Sequence, residues 1–403
     1  MVVLLAGNLA GRAAAAPFDG TQSVDAYSAL AVGSGRSVGL GGAYVGVAEG
    51  VAGIPINPAS VAHRRRDLSR GWDVGGTLSV SVIGARQDGD NDGGADAGLA
   101  QIQLGQLGLG AQAGRFGLGL VARSRLATTP PQDGGSTGIE TADVHLAAGW
   151  SALRDALIVG VAVDAGQGAL VQYGPGGKEL SRLRYDSGTV RSGALWRPRA
   201  LPFRLGAAFD LGGRARARGD RTAFPTAPRA FAFPWNASMG AALWLGPNAA
   251  RMNEPPAVAL VEHPEWSAPP AWEPTRVQPV LLSAQLDVVG PASHAVSVAS
   301  ALAPGEARRS GARASVVPRA GAEWECWPDR LRLRAGSYLE PSRTGAGPRT
   351  HGTFGAEVRV RVLSWDFQLS LTGDAARRYR NIGLSLWFWS RLGPSGDLAS
   401  RSH

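Results

Sequence analysis

The side chains that most often do chemistry are few and scattered here. The six histidines, His63, His145, His263, His294, His351 and His403, stand apart, and no serine and acid accompany any of them at the spacing of a catalytic triad. Cys326 is the only cysteine, so no internal disulfide forms, and one cysteine with six widely spaced histidines builds no zinc site. Gly33, Gly35 and Gly39 give a GxGxxxG spacing, which is not the dinucleotide loop. Lys178, the only lysine, is not followed by the Ser or Thr of a phosphate loop. The residues therefore predict no enzyme, no cofactor and no metal.

Charge gives a similar answer. The net charge is +9, but nearly all of the 41 basic residues are arginines spread over the whole chain, the densest run being Arg64, Arg65 and Arg66. A nucleic-acid binder gathers its charge on one arm or helix, so nucleic acid is not an expected partner. Dispersed arginines suit phosphate-bearing lipid headgroups, and outer-membrane lipid is.

The elements that carry these residues are read from parity. Of 403 residues, 44% are hydrophobic and 56 are glycine, yet no stretch past the N-terminus is long and apolar enough for a membrane-spanning helix. Apolar residues instead recur at every second position, the signature of a strand with two chemically different faces. Leu201, Phe203, Leu205, Ala207, Phe209 and Leu211 alternate with small or polar residues, as do Trp235 to Leu245, Phe354 to Val362 and Trp365 to Leu371. Similar runs cover 72–82, 99–110, 115–123, 141–150, 157–164, 182–196, 280–288, 315–326, 331–339 and 381–389, which makes fourteen strands. The run at 99–110 changes phase near Gln106, as a bulge would make it do. Segment 294–302 also alternates but is assigned to a long connection.

Connections between these runs alternate long and short, and both ends of the array emerge on the short side. Outer-membrane barrels have this asymmetry. The second face carries charge in strand after strand: Asp73, Arg123, Asp143, His145, Asp164, Arg204, Asp287, Arg319, Glu323, Arg334, Glu357 and Arg359. Tryptophans at run ends, including Trp72, Trp150, Trp196, Trp235, Trp324, Trp327, Trp387 and Trp389, predict interfacial girdles. The fold class expected is all-β, a transmembrane antiparallel β-barrel of about fourteen strands, and a lumen of that width needs a filling.

Residues 33–60 break the strand pattern. Gly35, Arg36, Gly39, Gly41, Gly42, Ala43 and Tyr44 are followed by Asn57, Pro58 and Ala59 and then by the first strand. This stretch resembles the N-terminal plug of the FadL-type outer-membrane transporters for long-chain fatty acids and other hydrophobic compounds, and of the related PorV-like barrels. The resemblance covers about thirty residues. It implies a plug folded inside the lumen, with Gly35, Arg36, Gly39, Gly41, Gly42, Asn57, Pro58 and Ala59 seating it. Arg36 is placed to pair with a lumen carboxylate such as Asp73 or Asp143, and Val121, Val289, Val317 and Trp244 are apolar at lumen parity.

The organisation expected is a signal peptide over 1–16, the plug over 17–68, the barrel over 69–390 with a proline-rich insertion at 246–279, and a tail at 391–403. The resemblance implies passage of hydrophobic small molecules across the outer membrane of a Gram-negative bacterium by a monomer. The alternative is a non-transporting platform for secretion or envelope assembly, with a periplasmic protein docked on 246–279.

Overall fold

A computed structural model of the chain describes residues 21–63, 72–83, 87–93, 101–128, 135–199, 201–219, 221–225, 227–254, 278–302, 307–363 and 365–390. The signal peptide at 1–16, the tail at 391–403, most of the 246–279 insertion, and residues 17–20 and 64–68 lie outside them. The period-two segments are strands.

In chain order the strands are β1 (Ser23–Asp25), β2 (Trp72–Ile83), β3 (Gln101–Ala113), β4 (Phe116–Thr128), β5 (Ser136–Ala152), β6 (Leu157–Tyr173), β7 (Glu179–Trp196), β8 (Phe203–Asp210), β9 (Gly213–Arg218) and β10 (Ala230–Phe233). They continue with β11 (Asn236–Leu245), β12 (Val280–Val289), β13 (Ala295–Val296), β14 (Arg309–Ser310), β15 (Ser315–Trp327), β16 (Leu331–Glu340), β17 (Arg349–Val362), β18 (Trp365–Ala376) and β19 (Tyr379–Ser390). Fourteen of these, β2 to β8, β11, β12 and β15 to β19, form one antiparallel wall. It closes where β19 pairs with β2, from Asn381 opposite Ile83 to Trp389 opposite Gly75. Closure leaves the wall no free edge. The five short strands make a cap at the long-connection end, where β1 runs parallel to both β10 and β13.

Alternation sorts the two faces. Leu107, Leu109, Leu118, Leu120, Leu146 and Val163 are exposed on the outside, Leu118 by 62%. The charged residues of the opposite parity, among them Asp73, His145, Asp164, Arg204, Asp287, Glu323, Arg334 and Glu357, are buried inside.

Four expectations are corrected. β5, β6 and β7 run on to 17, 17 and 18 residues, and β6 and β7 are joined by 174–178 rather than by a long loop over 165–181. β18 and β19 likewise meet in a two-residue turn at 377–378. Outward apolar residues stop where the apolar band stops, but backbone hydrogen bonding needs no apolar face and carries the ladders further. Thirdly, β3 pairs with β2 and β4 without any register shift, so no bulge sits at Gln106. The phase change is chemical: Leu104 turns inward onto a cluster with Leu30, Ile83 and Ala127. Finally, Trp387 and Trp389 share the inward parity of Asn381, Gly383 and Ser385, and Trp389 is buried beneath Arg359. Exposed Trp72, Trp150, Trp196, Trp324 and Trp327 form a row at the short-turn end, with Trp235 at the other.

Candidate functional site

Residues 21–63 lie against the inner face of the wall. Helix α1 (Gly35–Gly39) is capped by Ser34, whose hydroxyl accepts from the Ser37 N–H, and all five of its residues are buried against β16 to β19. Gly41 and Gly42 follow in the left-handed region, with φ of 65° and 76°, where a side chain would strain the backbone. The chain then crosses glycines of the wall. A Cβ on Gly321 would meet the Leu40 carbonyl at 2.5 Å, and one on Gly160 would meet the amide of Ala59 at 2.5 Å. The wall glycines thus leave room for a second backbone.

Polar groups complete this contact. Asn57, with no exposed surface, donates through Nδ2 to the Val45 and Ala194 carbonyls, both at 3.0 Å, while its Oδ1 accepts from the Ala59 N–H at 3.1 Å. Pro58 occupies the first position of the 3-10 turn Pro58–Ala62 that Asn57 caps. Gln285 Oε1 accepts from the Tyr44 and Val45 N–H groups at 2.9 and 2.8 Å. Arg319 donates to the carbonyls of Ala29 and Gly41 and pairs with Asp287 at 2.7 Å.

Arg36 pairs with neither Asp73 nor Asp143. Its Nε and Nη2 grip Glu323 at 2.9 and 2.8 Å, and its Nη1 donates to Glu49 at 2.7 Å. Glu323 also holds Arg334 at 2.6 Å, Arg334 holds Glu357 at 2.8 Å, and Arg204 reaches Glu49 at 3.0 Å. The ladder therefore alternates in sign across four wall strands, β8, β15, β16 and β17, and two points of the N-terminal segment. Burial works to raise the Glu49 carboxyl, but the Arg36 guanidinium, with His63 and Arg204, holds it well below the usual carboxylate range. His63 Nδ1 faces the Ala48 carbonyl at 3.0 Å, which requires its proton there. Burial, reinforced by Arg197 and Arg204, pushes this imidazole down to about 3, so it stays neutral.

Above this contact, toward the capped end, lies a cavity of about 360 Å³. One end is apolar, lined by Leu30, Val32, Leu104, Ile139 and Phe231. The other carries Arg123, Asp143, His145, Asp164, Arg191 and Asp210 from β4 to β8. Val121, Val289, Val317 and Trp244 are buried as their parity implies, but they pack on the N-terminal segment and none lines the cavity. Parity missed Leu104 because it was read there as a bulge. Gln285 was readable, standing two residues before Asp287 on the inward parity, whereas nothing periodic points to Glu49.

Asp88, Asp90 and Asp92, on the connection after β2, bring carboxylate oxygens within 4.8 Å of one another, a group that a search of Cys and His spacing passes over. Burial and the neighbouring Asp92 push Asp90 up to about 6. Arg349 lies 3.7 Å from Asp88 and Arg308 3.0 Å from Asp92, tying the connection to β17 and to the segment before β14.

The fold is shared with solved channels. CymD, a monoaromatic hydrocarbon channel, aligns with a TM-score of 0.56 at 13% identity over 90% of this chain and 98% of that one. A Pseudomonas aeruginosa FadL homologue gives 0.53 at 13% over 94% and 100%. The TodX deltaS2S3 mutant, also a monoaromatic hydrocarbon channel, gives 0.53 at 13% over 89% and 99%. The chain has the fold of these FadL-type barrels. No family model matches it, and no curated protein matches its sequence.

Proposed function

We propose that the chain spans the outer membrane of a Gram-negative bacterium and passes hydrophobic small molecules, with long-chain fatty acids and aromatic hydrocarbons as the candidate classes, and that residues 17–68 are its plug. The observation that carries this is the 360 Å³ cavity with one apolar end, held between the N-terminal segment and a closed wall whose outside is apolar. An apolar outer band stabilises a barrel in lipid, and an apolar pocket above an ionic lumen offers a hydrophobic solute a resting place that water-filled pores lack. The solved channels of this fold whose names specify monoaromatic hydrocarbons support the same class of cargo.

Deleting the gene is expected to slow growth on long-chain fatty acids or aromatic hydrocarbons, with growth on succinate unchanged. Equal growth on all of them overturns transport. Asn57→Ala with Pro58→Ala removes the hydrogen bonds to Val45 and Ala194 and the fixed turn, so entry of large antibiotics such as vancomycin should rise. Unchanged entry with a normally folded barrel counts against the plug.

A further inference from the structure

The charges facing the cavity balance. Four arginines, Arg123, Arg125, Arg191 and Arg319, stand against four aspartates, Asp143, Asp164, Asp210 and Asp287. They are engaged with one another: Arg123 with Asp143 at 2.8 Å, Arg191 with Asp210 at 2.6 Å and Asp164 at 3.3 Å, and Arg319 with Asp287 at 2.7 Å. His145 is held between Asp143 and Asp164. Arg125 lies in the field of Asp90.

A cation already satisfied by its own carboxylate offers little to an incoming one, and an ionised ligand leaves water only for a compensating charge. One neutral polar group is placed differently. Gln106 on β3 lines the cavity and is only 4% exposed, yet neither its Oε1 nor its Nε2 has a hydrogen-bond partner in the protein. A buried amide with both ends unmet is unusual, because native interiors pair such groups. Gln106 stands in register with Ser79 of β2, which also lines the cavity, and Leu104, two residues away on the same face, belongs to the apolar end.

We infer that this cavity selects an uncharged amphiphile, a molecule with an apolar body and a neutral hydrogen-bonding head such as an alcohol or a phenol, over both ionised carboxylates and bare hydrocarbons, with the Gln106 amide reading the head. The inference rests on the reading of the chain as a transporter of hydrophobic small molecules, and within that reading it sets a neutral amphiphile in place of the two candidate classes named above. The apolar body lies against Leu30, Leu104 and Phe231, and the head both donates to and accepts from the amide.

The test uses the full chain in lipid nanodiscs, with empty nanodiscs subtracting partition into lipid, and three probes of one shape: para-butylphenol, butylbenzene and para-butylbenzoate. The phenol is expected to bind about tenfold tighter than either of the others. Gln106→Leu should lower phenol binding about tenfold while leaving butylbenzene within twofold, in protein whose heat-modifiable electrophoretic shift shows a folded barrel. Asp143→Asn, which leaves Arg123 less compensated, should raise benzoate binding about tenfold. Benzoate or butylbenzene binding the unaltered protein as tightly as the phenol, Gln106→Leu weakening all three alike or none, or Asp143→Asn leaving benzoate unchanged overturns the inference while transport stands. Binding of none of the three overturns the inference, and equal growth of the deletion strain on every carbon source overturns transport with it.

Discussion

Arg36 is the residue on which the N-terminal segment is most firmly fixed, because its guanidinium is buried and shared between Glu323 on β15 and Glu49 on its own segment. Arg36→Ala leaves the buried Glu323 and the half-buried Glu49 with one partner fewer each, a loss on the order of 3 kcal/mol, carried mainly by the broken buried pair with Glu323. Entry of vancomycin should rise at least as much as in the Asn57 and Pro58 variant, with the barrel still folded. Arg36→Lys should fall between, since an ammonium does not match the two-pronged contact with Glu323. Equal entry in all three proteins would show that the ladder does not seat the segment. The resemblance singled out Arg36 and parity put carboxylates on the face it meets, but the partners named were Asp73 and Asp143. Parity tells which face a side chain occupies and nothing of its position around the barrel, which is fixed by where α1 lands on β16 to β19.

At the scale of a strand, the two faces of β2 and β3 should answer oppositely to the same charge. Leu107 is 57% exposed in the outer apolar band, whereas Ser81 on β2 faces the cavity. Leu107→Arg places a cation in hydrocarbon and is expected to cost about 2–4 kcal/mol in urea unfolding from lipid vesicles, whereas Ser81→Arg, with room and water-compatible neighbours, should cost less than about 1 kcal/mol. Similar losses for the two would undo the assignment of faces. All fourteen wall strands were legible, since apolar residues facing lipid must alternate. Their ends were not: β6 continues to Tyr173 and β19 begins at Tyr379, where hydrogen bonding persists without alternation. The inward turn of Leu104 was legible as a phase change and misread as a bulge, because a change of chemistry on the inner face and a shift of register look alike in one strand.

In the molecule as a whole, a closed wall and an inner segment are coupled through buried charge, and this makes the seating of that segment, the proposed plug, sensitive to acid. His63 is the clearest sensor. Seated, it is neutral, with burial, Arg197 and Arg204 holding it at about 3; released into water it returns to the ordinary 6.5. The seated state thus binds fewer protons than the released one between these values. Its stability is complete above pH 6.5 and declines as pH falls toward 3, by about 1.4 kcal/mol per unit. Glu49, the carboxylate facing it, adds a loss of the same sign, but only once pH falls below the ordinary carboxylate range; Arg197 and Arg204 keep their charges throughout. Among these four groups the imidazole alone titrates between pH 7.5 and pH 5, and about 2 kcal/mol of seating is withdrawn, on the order of thirtyfold in the ratio of open to closed. Conductance across planar bilayers should show openings that become more frequent over this interval. His63→Gln, whose amide still donates to the Ala48 carbonyl, should be flat over the same interval and open only at lower pH, where Glu49 is protonated. An acid response that survives His63→Gln would place the hold on the inner segment in another titrating group, and no response in the unaltered protein would place it in groups that do not titrate, such as the hydrogen bonds of Asn57 and Gln285.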